Sequence, residues 1–398
     1  MSNEISKEEE LISEGLSHSK AQLFDLAKEA FLKVLEINPQ NAMAHNELGL
    51  IYAYSNRSDK AITCFESAIQ YDDRFFKPYN NLALIYKNEK DYPKALEYFS
   101  KAISLAPANY QILNNFGELY LSLGRYDDAL GCFLKSAAIK TEDSLIYFKI
   151  ATCYYGKQML NDAVIYFEKA ISLNDKVAEY YSELGRAYYK LKNVDKAKEN
   201  LEKSIDINPE NEWAYSNLGN IYFYHYDKLD VAYEYYKKAY FLNPNYGWAS
   251  YNLGNIMIIK NNYEDALKYY SQAYEINPNN SLFMNELARA NYKSGNVDEA
   301  LELWQKTIAV DSSNEWAYSN LGNLYLHQKK DPAKAIEYYT KALAINPNNG
   351  WAYYNLANTY YHQNDIQNAK SFIIKALEFS NDNDHFKLLH NKITEKDE

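Results

Sequence analysis

The chain has 398 residues, of which 47% are hydrophobic and 24% charged, a composition typical of folded proteins rather than disordered ones. Tyrosine is abundant, with 41 residues, whereas 13 glycines and 9 prolines are few for this length. This scarcity disfavours an all-β protein, whose turns consume both residues, and a glycine-rich nucleotide-binding enzyme. The formal net charge of −11 disfavours binding to nucleic acid or to an anionic membrane surface, because both gain affinity from basic residues.

The cysteines and the N-terminal residues bear on the cellular compartment. Cys64, Cys132 and Cys153 are odd in number and far apart, and no C-x-x-C occurs, which argues against a disulfide framework or a zinc site and fits a reducing compartment. The N-terminal residues are acidic and include no apolar run, so we expect no signal peptide. No apolar stretch reaches the roughly 18 residues of a membrane span, and we expect a cytoplasmic protein.

The sequence is built from a repeated unit of 34 residues. Eleven units cover residues 8–383, and the two that begin at residues 212 and 315 are 35 residues long. Residues 1–7 precede the repeats as an N-terminal extension, and residues 384–398 follow them as a capping helix and tail. The units are residues 8–41, 42–75, 76–109, 110–143, 144–177, 178–211, 212–246, 247–280, 281–314, 315–349 and 350–383.

Each unit predicts a helical hairpin. Positions are numbered from the first residue of the unit. In the two 35-residue units the extra residue of the turn is not counted, so that equivalent residues of the second helix carry the same position number in every unit. Positions 4, 7, 8 and 11 recur at the i, i+3, i+4, i+7 spacing of one helix face, and positions 20, 24 and 27 form a second stripe. Polar stretches such as residues 87–91 predict the turn between them. Position 8 is glycine or alanine and position 20 is alanine in every unit. We therefore expect the two helix backbones to approach closely there, and a bulky residue to cost about 1–3 kcal/mol.

Proline marks the end of the second helix, and the residues after 383 predict one further helix. Six of the nine prolines follow a second helix, where the residue before proline leaves the α region. Phe386, Leu389 and Ile393 recur at i, i+3, i+7 and predict a helix that caps the last hairpin.

This pattern of W/Y-x2-L-G-x2-Y, then A-x3-F-x2-A, then proline resembles the tetratricopeptide repeat family. In the sixth unit it is carried by Tyr181, Leu184, Gly185, Tyr188, Ala197, Leu201, Ser204 and Pro209. The resemblance covers essentially the whole chain and is weakest in the first and ninth units. It implies an all-α, right-handed superhelical solenoid of helix-turn-helix hairpins that serves protein–protein interaction.

A longer period is visible in the C-terminal half. Residues 178–280 resemble residues 281–383 at an offset of 103 residues. The segment E-W-A-Y-S-N-L-G-N, for example, occurs at 212–220 and again at 315–323. A block of three hairpins has therefore been duplicated.

Motifs for catalysis and metal binding do not occur in the sequence. G-x-G-x-x-G, G-x4-G-K-[ST], H-E-x-x-H and G-x-S-x-G are all missing. His327 and His362 share position 13, but no carboxylate or thiol completes a metal-ligand set with them. We therefore expect no enzymatic activity, no metal and no cofactor.

The strongest candidate for function is the face of the first helix opposite its core stripe. Positions 2, 5, 6, 9, 12 and 13 lie on this face, and stacked hairpins would turn it into a concave wall. The seventh, eighth, tenth and eleventh units carry tryptophan at position 2 and asparagine at positions 6 and 9, and tyrosines at position 5 add aromatic surface. The candidate binding residues are Asn217, Asn220, Asn252, Asn255, Asn320, Asn323, Asn355, Asn358, Asn81, Asn115, Trp213, Trp248, Trp316, Trp351, Tyr251 and Tyr354.

A row of asparagines can bind an extended peptide whatever its sequence, because each amide carries both a donor and an acceptor. In the family, such rows grip ligand backbones, notably in the repeat domain of O-GlcNAc transferase, and the resemblance implies the same here. The alternative is that the asparagines bond each other or cap helices and that the tryptophans pack between hairpins. Replacing Asn252, Asn320 and Asn355 with alanine is expected to weaken binding without unfolding the array.

The pairs Glu183/Arg186 and Glu286/Arg289 interrupt this row, and their three-residue spacing predicts intrahelical salt bridges. No three consecutive units supply the lysine and asparagine set with which related repeats clamp a chaperone's C-terminal carboxylate. The sequence thus predicts a scaffold or adaptor that binds a protein or an extended peptide in the groove of residues 212–361, with no nucleic acid or membrane partner. Two alternatives stay open: a structural solenoid that self-associates into a homo-oligomer, and an accessory subunit of a separately encoded enzyme.

Overall fold

A computed structural model describes residues 2–380 and 382–397, with side chains described for residues 7–380 and 382–396. Within these residues the chain forms 23 α-helices and no strand. The predicted all-α solenoid of helical hairpins is confirmed. The helices fall into two compact units, Met1–Ile207 and Asn208–Glu398, which are described in turn.

In the first unit, odd-numbered helices begin the hairpins and are called A helices, and even-numbered helices complete them and are called B helices. The A helices α3 to α11 each have 13 residues, and the B helices α2 to α12 each have 14. The helices are α1 Ser2–Lys20, α2 Phe24–Ile37, α3 Ala42–Tyr54, α4 Ser58–Tyr71, α5 Phe76–Asn88, α6 Tyr92–Leu105, α7 Tyr110–Ser122, α8 Tyr126–Ile139, α9 Ser144–Gly156, α10 Leu160–Leu173, α11 Ala178–Lys190 and α12 Val194–Ile207. Helix α1 continues into the residues that the sequence placed in an N-terminal extension.

The second unit repeats this pattern and ends with an unpaired helix. Its helices are α13 Glu212–Tyr224, α14 Leu229–Leu242, α15 Gly247–Ile259, α16 Tyr263–Ile276, α17 Ser281–Lys293, α18 Val297–Val310, α19 Glu315–His327, α20 Pro332–Ile345, α21 Gly350–His362, α22 Ile366–Phe379 and α23 Asp384–Asp397. The extra residue of the two 35-residue repeats lies in the turn between the A and B helices, so both helices keep their usual length.

Local sequence explains where the helices begin and how the hairpins turn. An asparagine precedes many A helices and accepts a hydrogen bond from a backbone N–H of the first turn; Asn211, for example, accepts from Ala214 at 3.1 Å. The turn to the B helix passes through one residue with positive φ. Glycine fills this place at Gly124 and Gly295, and nine other hairpins use a non-glycine residue with φ between 51° and 64°.

The residues at position 8 are small because the side chain at position 24 of the B helix lies over them. A Cβ added to Gly219 would lie 2.4 Å from the ring of Tyr236, so glycine here makes room for a ring rather than for the second backbone that we expected. At Gly185, where Leu201 replaces the ring, the backbone oxygen of Ala197 does lie close, 3.1 Å from an added Cβ. The alanines at position 20 are fully buried in every hairpin.

Within the second unit, each A helix from α17 onward packs against the next A helix as well as against its own B helix. The A helices α13 and α15 are joined by a hydrogen bond between Asn220 and Asn252, so the A helices follow one another along one side of this unit, which we call its inner side. Helix α23 packs on both α21 and α22, as an A helix packs on the preceding hairpin. In the described part of the chain, no helix combines the length and the apolar character that a membrane crossing requires.

Candidate functional site

The inner face of the second unit is defined here as positions 2, 5, 6, 9, 12 and 13 of helices α13, α15, α17, α19 and α21. All the predicted binding residues lie on this face except Asn81 and Asn115. These two lie on α5 and α7 of the first unit, and we describe them separately.

The asparagines at positions 6 and 9 bond to each other between neighbouring A helices. The Nδ2 atom of Asn252 donates to Oδ1 of Asn220 at 3.2 Å, and Asn355 donates to Asn323 in the same way at 3.3 Å. Of these four side chains, that of Asn252 is buried and the other three are half-buried. Each bond joins one repeat to the next, so these amides hold the stacking of the hairpins.

Tyrosines of the B helices complete this network from behind. The hydroxyl of Tyr236 donates to Oδ1 of Asn220 at 2.8 Å, and a second tyrosine, Tyr339, donates to Asn323 at 2.8 Å. Each of these two asparagine oxygens thus accepts two hydrogen bonds, one from a tyrosine of its own hairpin and one from the next A helix. The sequence carried a signal for this, because Tyr236, Tyr270 and Tyr339 all occur in units with asparagine at position 9.

In three hairpins whose position 9 is not asparagine, an asparagine at position 5 accepts the hydrogen bond from position 6 of the next hairpin. In the ninth hairpin, Oδ1 of Asn285 accepts from Asn320 at 3.2 Å and from the indole Nε1 of the buried Trp304 at 3.1 Å. In the first unit, Asn81 donates to an asparagine at position 5 at 3.0 Å, and Asn115 does the same at 3.1 Å. Their acceptors are Asn46 and Asn80. None of these position-5 acceptors is among the binding residues predicted from the sequence.

These bonds bear on the alanine substitutions suggested by the sequence. Asn252, Asn320 and Asn355 each donate a hydrogen bond to the preceding A helix, so their loss would weaken the stacking of repeats. The expectation that their removal spares the array therefore needs correction: a loss of binding in that variant would not be specific to the ligand.

Three further asparagines of the face differ in their partners. Asn255 accepts from the hydroxyl of Tyr270 at 2.6 Å, and Asn217 donates to the backbone oxygen of Trp213 at 2.8 Å. The side chain of Asn358 makes no hydrogen bond to any described residue, because its hairpin has isoleucine where others have tyrosine at position 24. Asn358 is half-buried, so both its donor and its acceptor are open to a ligand.

The network also fixes which amide atoms point to solvent. With their oxygens bonded to tyrosine and to the next helix, Asn220 and Asn323 use their Nδ2 atoms in no hydrogen bond to the described residues. An amide is planar, so holding its oxygen also sets the direction of its two N–H groups. The face thus presents oriented donors, which suit carbonyl oxygens.

The tryptophans at position 2 are packed on one side and exposed on the other. Trp248 meets Phe283 of the next A helix edge-on, with ring centroids 5.0 Å apart, yet 41% of its surface is exposed. Trp351 has the same relation to Phe386 of α23 at 5.1 Å and is 48% exposed. Trp316 is 56% exposed, whereas Trp213 is half-buried.

Aromatic contacts and apolar neighbours extend this stripe. Tyr251 and Tyr354 each meet the tryptophan of their own helix edge-on at 5.6 Å. Leu282, at position 2 of the ninth hairpin, is 46% exposed and continues the stripe between the tryptophans. Sequence reasoning missed this leucine because only tryptophan stood out in the pattern.

The inner face carries little charge although the chain is acidic. Glu286, Arg289 and Lys293 are its acidic and basic residues, and Nε of Arg289 bonds to Oε2 of Glu286 at 2.7 Å. The predicted intrahelical salt bridge is confirmed here, and it is also confirmed between Arg186 and Glu183.

Two histidines, His327 and His362, lie on the face. Burial, together with the nearby Lys330 and His362, lowers the pKa of His327, so its imidazole is neutral near pH 7. Among the described residues, no group of three or more His, Cys, Asp or Glu side chains could hold a metal ion.

Models of the tetratricopeptide repeat match nearly the whole chain. The matches described as "Tetratricopeptide repeat" or "TPR repeat" cover residues 12–41, 30–63, 75–142, 145–177, 185–225, 248–280, 280–348 and 326–393. A comparison with curated protein sequences finds no match.

Solved structures with the same architecture include a chain of the APC/C hetero-tetramer Cut9-Hcn1. It is 13% identical over 97% of this chain and 96% of that one, with a TM-score of 0.51, and shows the fold alone. YrrB, described as a TPR protein with an unusual peptide-binding site, is 25% identical over 47% of this chain and 95% of its own, with a TM-score of 0.39. MamA is 26% identical over 41% of this chain and 95% of its own, also with a TM-score of 0.39. The repeat matches and the hairpin architecture together establish that the chain belongs to the tetratricopeptide repeat family, whose members are protein-interaction scaffolds.

Proposed function

We propose that this chain is a non-catalytic scaffold that binds an extended peptide, or an extended segment of a partner protein, along the inner face of residues 212–361. The observation that carries the proposal is the combination of three exposed tryptophans with oriented, unpaired amide donors on a nearly uncharged surface. Exposed tryptophans in a row form an apolar patch of the kind that marks interaction sites.

The chemistry of the face indicates which parts of a ligand it would contact. The free N–H groups of Asn220 and Asn323 suit backbone carbonyl oxygens, and Asn358 can both donate and accept. The exposed sides of Trp316 and Trp351 offer flat apolar contact for a side chain. Away from the ninth hairpin, which carries Glu286, Arg289 and Lys293, a charged ligand side chain would lose hydration on this face without finding a partner for its charge.

The test is affinity purification of partners followed by mass spectrometry, with a double variant of the inner face. Trp316→Ala and Asn358→Ala remove an exposed indole and a half-buried amide that make no hydrogen bond to the described residues, so the array should keep its stability. We expect the double variant to lose partners that the unaltered chain retains.

A matched control lies on the outer side of the second unit. Phe241, at position 29 of its hairpin, is 78% exposed, and Phe241→Ala removes a similar amount of apolar surface. Partners that survive the inner-face variant but disappear with Phe241→Ala would overturn the proposal.

Phe241 also favours a second candidate function, self-association. Position 29 is polar or small in the other ten hairpins, so the exposed phenylalanine on α14 departs from the repeat pattern. Sedimentation velocity at several concentrations separates the two functions. A monomer throughout excludes self-association, whereas a dimer that Phe241→Ala dissociates supports it.

A further inference from the structure

The second unit carries the same arrangement twice, at an offset of 103 residues. We call α13 with α15 the first half-site and α19 with α21 the second half-site. Their inner faces share tryptophan at position 2 and asparagine at positions 6 and 9 in both helices. The matching pairs are Trp213 and Trp316, Asn217 and Asn320, Asn220 and Asn323, Trp248 and Trp351, Tyr251 and Tyr354, Asn252 and Asn355, and Asn255 and Asn358.

The two half-sites share the central contacts of this arrangement, although Asn217 and Asn320 bond to different partners and Asn255, unlike Asn358, is bonded to a tyrosine. The asparagine bond between A helices measures 3.2 Å in the first and 3.3 Å in the second, and the tyrosine bond behind it measures 2.8 Å in both. The tryptophan lies 5.6 Å from the tyrosine of its own helix in both. The phenylalanine that supports it from the next helix lies at 5.0 Å in the first and 5.1 Å in the second.

In the second half-site, the phenylalanine that supports the tryptophan lies outside the duplicated repeats. Phe283 belongs to α17 of the following hairpin, whereas Phe386 belongs to α23, which has no B helix after it in the described chain. The ring of Phe283 stacks on Tyr251 at 5.2 Å, and that of Phe386 stacks on Tyr354 at 5.2 Å. Helix α23 therefore contributes to the second half-site the phenylalanine that α17 contributes to the first.

The hairpin between the half-sites lacks these features. At positions 6 and 9, α17 carries Glu286 and Arg289, which pair with each other, and at position 2 it carries Leu282. A peptide crossing this helix would meet neither an oriented amide donor at these positions nor a tryptophan. The recognition elements are thus separated into two sets rather than spread along one groove.

We propose that the second unit binds two copies of one uncharged extended segment, one in each half-site. This inference rests on the proposed function of the inner face. Within each half-site, the free N–H groups of Asn220 or Asn323 bind a backbone carbonyl, and an apolar side chain of the segment lies on Trp248 or Trp351. A partner that presents the segment twice gains affinity, because the second contact becomes intramolecular.

The 103-residue offset provides a matched pair of test variants in the full-length chain. Trp248→Glu and Trp351→Glu each place a carboxylate on one uncharged half-site and leave the other unaltered. A phage-displayed library of random linear peptides is panned on the unaltered chain, and the selected peptide is synthesised as the probe. Isothermal titration calorimetry then counts the peptides bound per chain.

We expect two peptides bound per unaltered chain, one by each single variant and none by the double variant. Panning the same library on each single variant should return the same consensus sequence. One peptide per unaltered chain, or unrelated consensus sequences from the two variants, would overturn the inference while leaving the proposed function intact. If the unaltered chain selects no peptide, the proposed function fails, and the inference with it.

Thermal unfolding followed by circular dichroism shows whether each variant is folded. If a glutamate variant does not fold, Trp248→Phe or Trp351→Phe replaces it, since a smaller ring still packs on Phe283 or Phe386. Each phenylalanine variant should weaken one class of site and leave the other unchanged. Equal weakening of all sites by one such variant would contradict two independent half-sites.

Discussion

The ring of Phe386 lies edge-on against the indole of Trp351, with their centroids 5.1 Å apart. Phe386, Leu389 and Ile393 of α23 are all buried against the last hairpin. Lys387 lies at position 4, where an A helix would meet its own B helix, and it is exposed. Helix α23 thus combines the buried face of an A helix with an exposed charged residue at position 4, which fits the capping helix expected from the sequence.

Replacing Phe386 with alanine should detach this helix from the last hairpin. The ring is 1% exposed, and removing a buried phenylalanine costs about 3–5 kcal/mol. Because α23 packs on the last hairpin through one side only, we expect this loss to undock it. Hydrogen exchange of α22 and α23 should show rapid exchange there and little change in α13 to α17. Leu388→Ala is the control, because Leu388 is 56% exposed and should change stability by less than about 0.5 kcal/mol. Equal exchange in both variants would contradict the capping role.

The glycine at position 8 should be least replaceable where a hydroxyl holds the ring above it. A Cβ at Gly254 would lie 2.6 Å from the ring of Tyr270, whose hydroxyl is bonded to Asn255 at 2.6 Å and keeps the ring from moving away. Units with phenylalanine at position 24 use alanine as well as glycine at position 8, whereas the three with tyrosine use only glycine. We expect Gly254→Ala to cost about 1–3 kcal/mol in urea unfolding.

A second glycine gives the opposite expectation for the same chemical change. Gly131 lies within the helix α8, is exposed, and an added Cβ there would meet nothing within 4 Å. Gly131→Ala should therefore stabilise the chain by about 0.5–1 kcal/mol through helix propensity. If Gly254→Ala stabilises the chain as Gly131→Ala does, the packing explanation for Gly254 is wrong.

The asparagines of the inner face should divide into structural and free ones. Asn320→Ala removes the bond to Asn285 and should lower the free energy of unfolding by about 1 kcal/mol. Asn358→Ala removes no bond to a described residue and should leave stability unchanged within about 0.5 kcal/mol. Chemical unfolding of the two variants side by side is the measurement. A large destabilisation by Asn358→Ala would show that this amide has a structural role.

Repeat periodicity alone could predict the hairpins, because each copy carries the same stripes and the same small residues. The direction of the asparagine bonds could not be predicted in this way, since it depends on neighbours in two other helices. Asn320 bonds to position 5 of the preceding hairpin because Arg289 occupies position 9 there, whereas Asn252 finds Asn220 at position 9. The isolation of Asn358 likewise follows from Ile373 in the B helix behind it. A local sequence pattern identifies the face, but the hydrogen-bond partners of its asparagines can be identified only from the packing of neighbouring helices.

Tyr188 should make the stability of the first unit fall with pH in the alkaline range. Its hydroxyl donates to Oε1 of Glu168 at 2.6 Å and accepts from Nζ of Lys196 at 3.4 Å. Burial, then the bond to Glu168 and the charges of Glu168 and Glu199, raise the pKa of Tyr188 from 10.0 to about 12. Between these two values the unfolded chain has lost the phenolic proton while the folded chain keeps it, so stability contributed by this group is present below pH 10 and is lost as the pH rises towards 12.

Other tyrosines also ionise in this range, so the test is a difference between variants. Tyr188→Phe removes the proton and the hydrogen bond together, and it should lower the urea midpoint most near pH 8 and progressively less towards about pH 12. Tyr54→Phe serves as the control, because Tyr54 is 72% exposed and its hydroxyl has no hydrogen bond to a described residue. A constant difference between Tyr188→Phe and the unaltered chain across this range would mean that the folded state does not hold the phenolic proton, and the bond to Glu168 would then not control the alkaline stability of this hairpin.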